Sequence, residues 1–153
     1  PMDDVAHLRE AIAQSRASVE AGGFPIGAVV VKEGVVLGWG VSDGKQLKDP
    51  TNHAEIAAIR EACKKIDNRD LKGVTLYSSL EPCLMCFAAA FWAHIPRIVY
   101  ACRKGRVSKQ HSEGTHDIVA VNEAARRHIE LVHLSELERE AAKVIDDWEA
   151  SVR

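Results

Sequence analysis

The feature of this 153-residue sequence that most restricts its fold is alternation: β-branched runs take turns with segments whose apolar residues recur at the helical period. In residues 3–21, Val5, Leu8, Ile12 and Val19 keep to one helical face, and Gly22-Gly23 ends the pattern. Residues 26–32 and 35–40 are β-branched runs on either side of Glu33-Gly34, the composition of a tight hairpin. The polar, turn-rich stretch 41–51 is expected to be a loop. Helical periodicity returns over 53–66, followed by a strand at 74–78, an apolar helix at 84–94 and a strand at 98–101. A helical patch at 122–127, a strand at 129–132 and a helix at 136–149 complete the chain. Strands alternating with helices predict an α/β fold, a three-layer α-β-α domain with a mixed five-stranded sheet. Residues 1–153 are expected to form one domain, a length that buries a core without disulfide staples.

Several function classes are disfavoured. A formal net charge of −2 and a pI near 6.4 give no electrostatic footprint for a polynucleotide. The basic run at 103–111 is expected to be a solvated loop. No apolar stretch reaches the roughly 18 residues of a membrane span, and the acidic, amphipathic first residues do not read as an export signal. A cytoplasmic location with reduced thiols is the expectation.

Chemistry concentrates at Glu81-Pro82-Cys83-Leu84-Met85-Cys86. Two thiols at this spacing form a redox pair, grip a metal or fill a core. The strand before them runs through Pro82 straight into a helix, so both cysteines fall in its first turn, where unpaired N–H groups favour thiolate. Proline suits that entry because its missing N–H is not needed there. A structural zinc site needs four protein ligands, and there is no second Cys-x-x-Cys; Cys63 and Cys102 stand alone and read as core. A further ligand is expected at the start of another helix, and His53, with Glu55 two residues on, is available. Three ligands with an open fourth position are the pattern of a catalytic zinc.

His53-Ala54-Glu55 followed by Pro82-Cys83-Leu84-Met85-Cys86 matches the H-x-E…P-C-x-x-C signature of zinc nucleobase deaminases. The sequence resembles the cytidine deaminase superfamily, in the branch that holds bacterial guanine deaminases, yeast-type cytosine deaminase and tRNA adenosine deaminases. The resemblance covers about residues 21–101, through GGFPIGAVVV, DPTNHAEIAAIREAC, LYSSLEPCLMC and IPRIVYA. It implies a cytidine deaminase-like fold, Zn²⁺ held by His53, Cys83 and Cys86, and Glu55 as proton carrier in hydrolytic release of ammonia. It also implies Ile26 as an apolar wall under the ring and the Glu81 backbone carbonyl against the leaving amine. Two residues past Gly40, where many relatives have asparagine, this chain has Ser42; serine lacks the paired donor and acceptor of an amide, so the ring contact passes to Asp43 or the substrate differs.

The resemblance further suggests Trp148 as a lid over a flat ring, and His116 and Asp117 as a substrate-facing stretch. Trp39 and Trp92 are expected in the core. The acid-rich last helix favours a small guanine- or cytosine-like base over nucleic acid as substrate. A tRNA adenosine deaminase and a non-catalytic zinc-binding interaction module are the rival readings. A homodimer is expected, with the apolar helix near its interface.

Overall fold

The computed structural model describes residues 2–152, apart from the side chains of Met2 and Lys109. Helix α1 (Met2–Glu20) leads into the hairpin β1 (Phe24–Lys32) and β2 (Val35–Ser42). A single turn, α2 (Gly44–Leu47), precedes α3 (Ala54–Ile66), β3 (Thr75–Leu80), α4 (Leu84–Trp92) and β4 (Arg97–Cys102). Two 3₁₀ turns then lead to α5 (Ile118–Ala124), β5 (Glu130–His133) and α6 (Glu138–Ser151). The five strands form one sheet in the order β2-β1-β3-β4-β5. Strand β1 is antiparallel to β2 and β3, whereas β3, β4 and β5 are parallel. The predicted mixed five-stranded, three-layer architecture is therefore present.

Alternation along each strand divides the core in two. Val29, Val31, Tyr77, Val99 and Ala101 pack with Leu8 and Ile12 of α1 and Ile145 of α6. Ala28, Val30, Leu76 and Ile98 pack on the other face with Ala58 of α3, Phe87 of α4 and Ile118 of α5. Helices on both faces explain why the strands read as continuous β-branched runs. The first layer is pinned by Asp4, which is 3% exposed. Its carboxylate accepts from Arg97 at 2.8 and 2.7 Å and from the Tyr77 hydroxyl at 2.7 Å, tying α1 to β3 and β4.

Glycine seats the other layer. A Cβ on Gly38 would lie 2.1 Å from the Ala58 carbonyl oxygen, and one on Gly40 would lie 1.9 Å from that of Ala54. Helix α3 thus rests its backbone directly on β2.

Some expectations need correction. The loop at 41–51 contains α2, and β2 runs on to Ser42. The helical patch at 122–127 begins earlier, because the Asp117 side chain accepts from the Val119 N–H at 2.8 Å and starts α5 there. Neither tryptophan is core. Gly38 and Gly40 face α3, so alternation turns Trp39 to the opposite face of an edge strand, where it is 40% exposed. Trp92 ends α4 at 69% exposure, off the face that buries Cys86, Phe87 and Ala90. Cys102 is buried and Cys63 half-buried. No described helix is long and apolar enough to cross a membrane.

Candidate metal centre and active site

The two parallel strands β3 and β4 end side by side, with Leu80 opposite Cys102. The Glu81 N–H donates to the Cys102 carbonyl at 2.7 Å, which holds the chain in line for one more residue before Pro82 turns it into α4. Cys83 is the N-cap of α4 and Cys86 lies in its first turn. His53 is the N-cap of α3. The His53 imidazole makes no cap bond to its own helix, which leaves it to meet the two thiols.

His53 Nδ1 lies 3.5 Å from Cys83 Sγ and 3.5 Å from Cys86 Sγ. All three donor atoms fall within 4.8 Å of one another. A tetrahedral zinc with Zn–N about 2.0–2.1 Å and Zn–S about 2.3 Å sets nitrogen and sulfur about 3.5 Å apart, so the donor set fits that ion. The electrostatics agree. The two thiols share a proton: a hydrogen bond from Cys86 holds Cys83 down to about 4, with His53 assisting, while the same bond and burial push Cys86 up. A thiolate is thereby on offer to a borderline-soft cation, while the bond to Cys83, foremost, raises His53, so a metal bound here displaces a proton from the ring.

Glu55 is 3% exposed, and its Oε1 has no hydrogen-bond partner among the described residues. Burial foremost, then the Cys83 charge, pushes its carboxyl up to about 7. An orphaned buried carboxylate oxygen points to a hydrogen-bonding molecule supplied from the pocket.

A cavity of about 310 Å³ opens over this centre. His53, Glu55 and Cys83 form part of its lining, with Phe24 and Ile26 from β1 and Ser42 from β2. Lys104, His111 and Glu113 come from the segment after β4, and Ile145, Trp148 and Glu149 from α6. The Trp148 ring meets Phe24 edge-on at 5.6 Å and His111 at 4.8 Å. A shallower groove continues past Ser42 along Lys45 and Lys48.

The structure thus brings together His53, Glu55, Cys83 and Cys86, and sets Ile26, Ser42, Glu81 and Trp148 in the pocket lining. Asp43 lies outside that lining; its Oδ1 accepts from Asn52 Nδ2 at 2.5 Å, bracing the turn before His53. His116 and Asp117 are exposed and also outside it, Asp117 serving as the cap of α5.

Sequence reasoning missed the wall contributed by Lys104, His111 and Glu113. The run stays mostly exposed, yet two pairings draw part of it to the pocket: Arg103 makes two side-chain bonds of 3.1 Å to Glu138, and Lys104 Nζ lies 2.5 Å from Glu113. Position in the fold was the usable signal, since ligands of open α/β sheets bind beyond the carboxyl ends of parallel strands. This segment leaves β4 at that point.

Comparison with known proteins agrees with the geometry. The family model of the cytidine and deoxycytidylate deaminase zinc-binding region matches residues 1–102. The chain is 38% identical over 94 residues to a tRNA-specific adenosine deaminase of Aquifex aeolicus, covering 61% of this chain and 62% of that protein. It is 41% identical over 101 residues to a guanine deaminase of Bacillus subtilis, covering 65% of each. The matched segment thus spans a little under two thirds of the length of these relatives. Among solved structures, the guanine deaminase of Nitrosomonas europaea superposes with a TM-score of 0.83 at 26% identity, covering 95% of this chain and 84% of that one. A structure from studies of A-to-I editing by tRNA:A34 deaminases gives 0.78 at 32% identity, covering 92% and 99%. With its His-Cys-Cys donor set at two helix starts and this match over residues 1–102, the chain belongs to the cytidine and deoxycytidylate deaminase zinc-binding family.

Proposed function

We propose that the protein hydrolyses the bond between a ring carbon of a small free heterocycle and its exocyclic amino group. Water adds, ammonia leaves, and a ring carbonyl remains. His53, Cys83 and Cys86 hold Zn²⁺, which when bound supplies a Lewis acid that makes water acidic near neutral pH. Glu55 moves the protons. Buried beside the metal ligands, it takes a proton from water, passes it to the ring nitrogen, and returns one to the departing amine. Ile26 and Trp148 flank the ring, Ser42 meets its edge, and the Glu81 carbonyl faces the leaving amine.

The observation that carries the free-base reading is the pocket itself. Trp148 meets Phe24 and His111 over a ring-sized space, and Glu81, Glu113 and Glu149 in the lining outnumber the single Lys104. Such a lining repels phosphate and accepts a neutral, amine-rich ring. The test is ammonia release from guanine, cytosine, adenine, their nucleosides and triazine analogues. Turnover of a free base is expected; turnover confined to adenosine in an anticodon stem-loop would reject it.

The second reading, a tRNA adenosine deaminase, is favoured by the groove along Lys45 and Lys48 and by the similarity to such enzymes. It requires that Lys45→Glu with Lys48→Glu abolish activity on a stem-loop. Exposure of Trp92 at the end of α4 supports a homodimer through that helix, checked by light scattering at micromolar concentration.

A further inference from the structure

Of the carboxylates in the pocket lining, Glu149 alone lacks an assigned role. Glu81 accepts from the Lys104 backbone N–H at 3.2 Å, and Glu113 from the Lys104 ammonium. Glu55 stands beside the metal donors. Glu149 follows Trp148 in α6 and has only 15% of its side chain exposed. The recorded polar neighbour of its Oε2 is His111 Nδ1 at 3.8 Å, beyond hydrogen-bond reach. Among the described residues no donor bonds it. Its oxygens still reach the solvent of the pocket, so their acceptor capacity is open to a ligand that offers an N–H there.

Its place in the layers says which part of a ligand it meets. His53, Glu55, Cys83 and Cys86 come from α3, α4 and their caps, on one face of the sheet. Glu149 comes from α6, which packs on the other face. A flat ring whose amino-bearing carbon addresses the metal side therefore turns another edge toward α6.

We propose that Glu149 accepts a hydrogen bond from the ring N–H that becomes N-glycosylated in a nucleoside, so that the pocket selects free bases against N-substituted ones. The inference rests on the deaminase reading above. A substituted nitrogen has no proton to offer, and its bulk meets Trp148 and Glu149 together. A site built to bond a substrate N–H rejects the analogue lacking it far more strongly than an apolar pocket rejects an extra methyl group, because a ring seated against the carboxylate shuts it off from solvent and leaves it unpaired.

The experiment uses the zinc-loaded full chain with two substrate pairs, cytosine against 1-methylcytosine and guanine against 9-methylguanine. Wild type, Glu149→Leu and Glu149→Asp are compared for ammonia release and for calorimetric binding. The expectation for Glu149→Leu, which has no acceptor, is unchanged zinc content and a kcat/KM on the accepted parent base lowered roughly 10- to 100-fold, mainly through KM. Its N-methyl partner should be nearly unaffected, so the preference collapses, whereas Glu149→Asp keeps most of it. An equal loss on both members of a pair, or a preference intact in Glu149→Leu, overturns the inference. If wild type releases ammonia from neither base, the deaminase reading fails separately. Calorimetry then still decides: a preference for the parent that Glu149→Leu abolishes upholds the contact, and equal binding of both members overturns it.

Discussion

Replacing Gly40 with alanine presses on the first turn of α3. The added Cβ would lie 1.9 Å from the Ala54 carbonyl oxygen, 2.8 Å from its carbon and 2.9 Å from the Ala58 nitrogen. All three are backbone atoms, and such contacts need at least 3.0 Å, so no rotamer relieves the clash. Helix α3 must retreat by about 1 Å or more, an overpacking that costs roughly 1–3 kcal/mol of stability. Ala54 lies between His53 and Glu55, so the retreat carries away both the candidate metal ligand and the proposed proton carrier. Nδ1 then leaves its 3.5 Å separation from the two sulfurs. A displacement of about 1 Å at reacting groups lowers rate on the order of 10²-fold. The assay combines zinc content, urea unfolding and ammonia release, with Gly105→Ala as the control because nothing lies within 4 Å of a Cβ there. Gly40→Ala is expected to lose stability, metal and rate together, and Gly105→Ala none of them. If Gly40→Ala kept its zinc and its turnover, the argument that β2 positions the centre through glycine would fail.

Other outcomes follow from the same geometry. Glu55→Gln should retain zinc by elemental analysis yet lose roughly 10²- to 10⁴-fold in turnover; unchanged turnover would remove Glu55 as the proton carrier. Trp148→Ala should raise KM more than it lowers kcat in steady-state kinetics, since it removes a wall and no proton carrier. Arg97, foremost, holds the Asp4 carboxyl down to about 2 from an ordinary 3.8, with Tyr77 assisting. That contribution is present above the unfolded value and is lost as pH falls from about 4 toward 2, about 2 kcal/mol in all. Urea titrations across this window should show a steeper acid loss in wild type than in Asp4→Asn, which is less stable throughout.

The layers were legible because burial on both faces leaves a direct mark, as in the run from Ala28 to Val31. The metal donors were legible because residues at two helix starts leave a fixed spacing in the chain. The outer pocket was not. Lys104, His111 and Glu113 occupy a polar stretch whose path is set by pairings such as Arg103 with Glu138, remote in sequence and indistinguishable there from solvated charges. Trp39 was misread for a related reason: its run is apolar, and only the contact of Gly38 and Gly40 with α3 fixes which face it takes. The start of α5 depended on one side-chain bond from Asp117.

The Arg103–Glu138 link joins the segment that carries His111 to the helix that carries Trp148 and Glu149, and a backbone bond of 2.9 Å from Arg103 to Glu138 reinforces it. Under the proposed function, substrate range is therefore inherited as a cassette. An engineer grafting the terminal helix of a known deaminase onto this scaffold would have to transplant residues 103–113 with it, whereas the candidate metal centre under α3 and α4 could remain untouched.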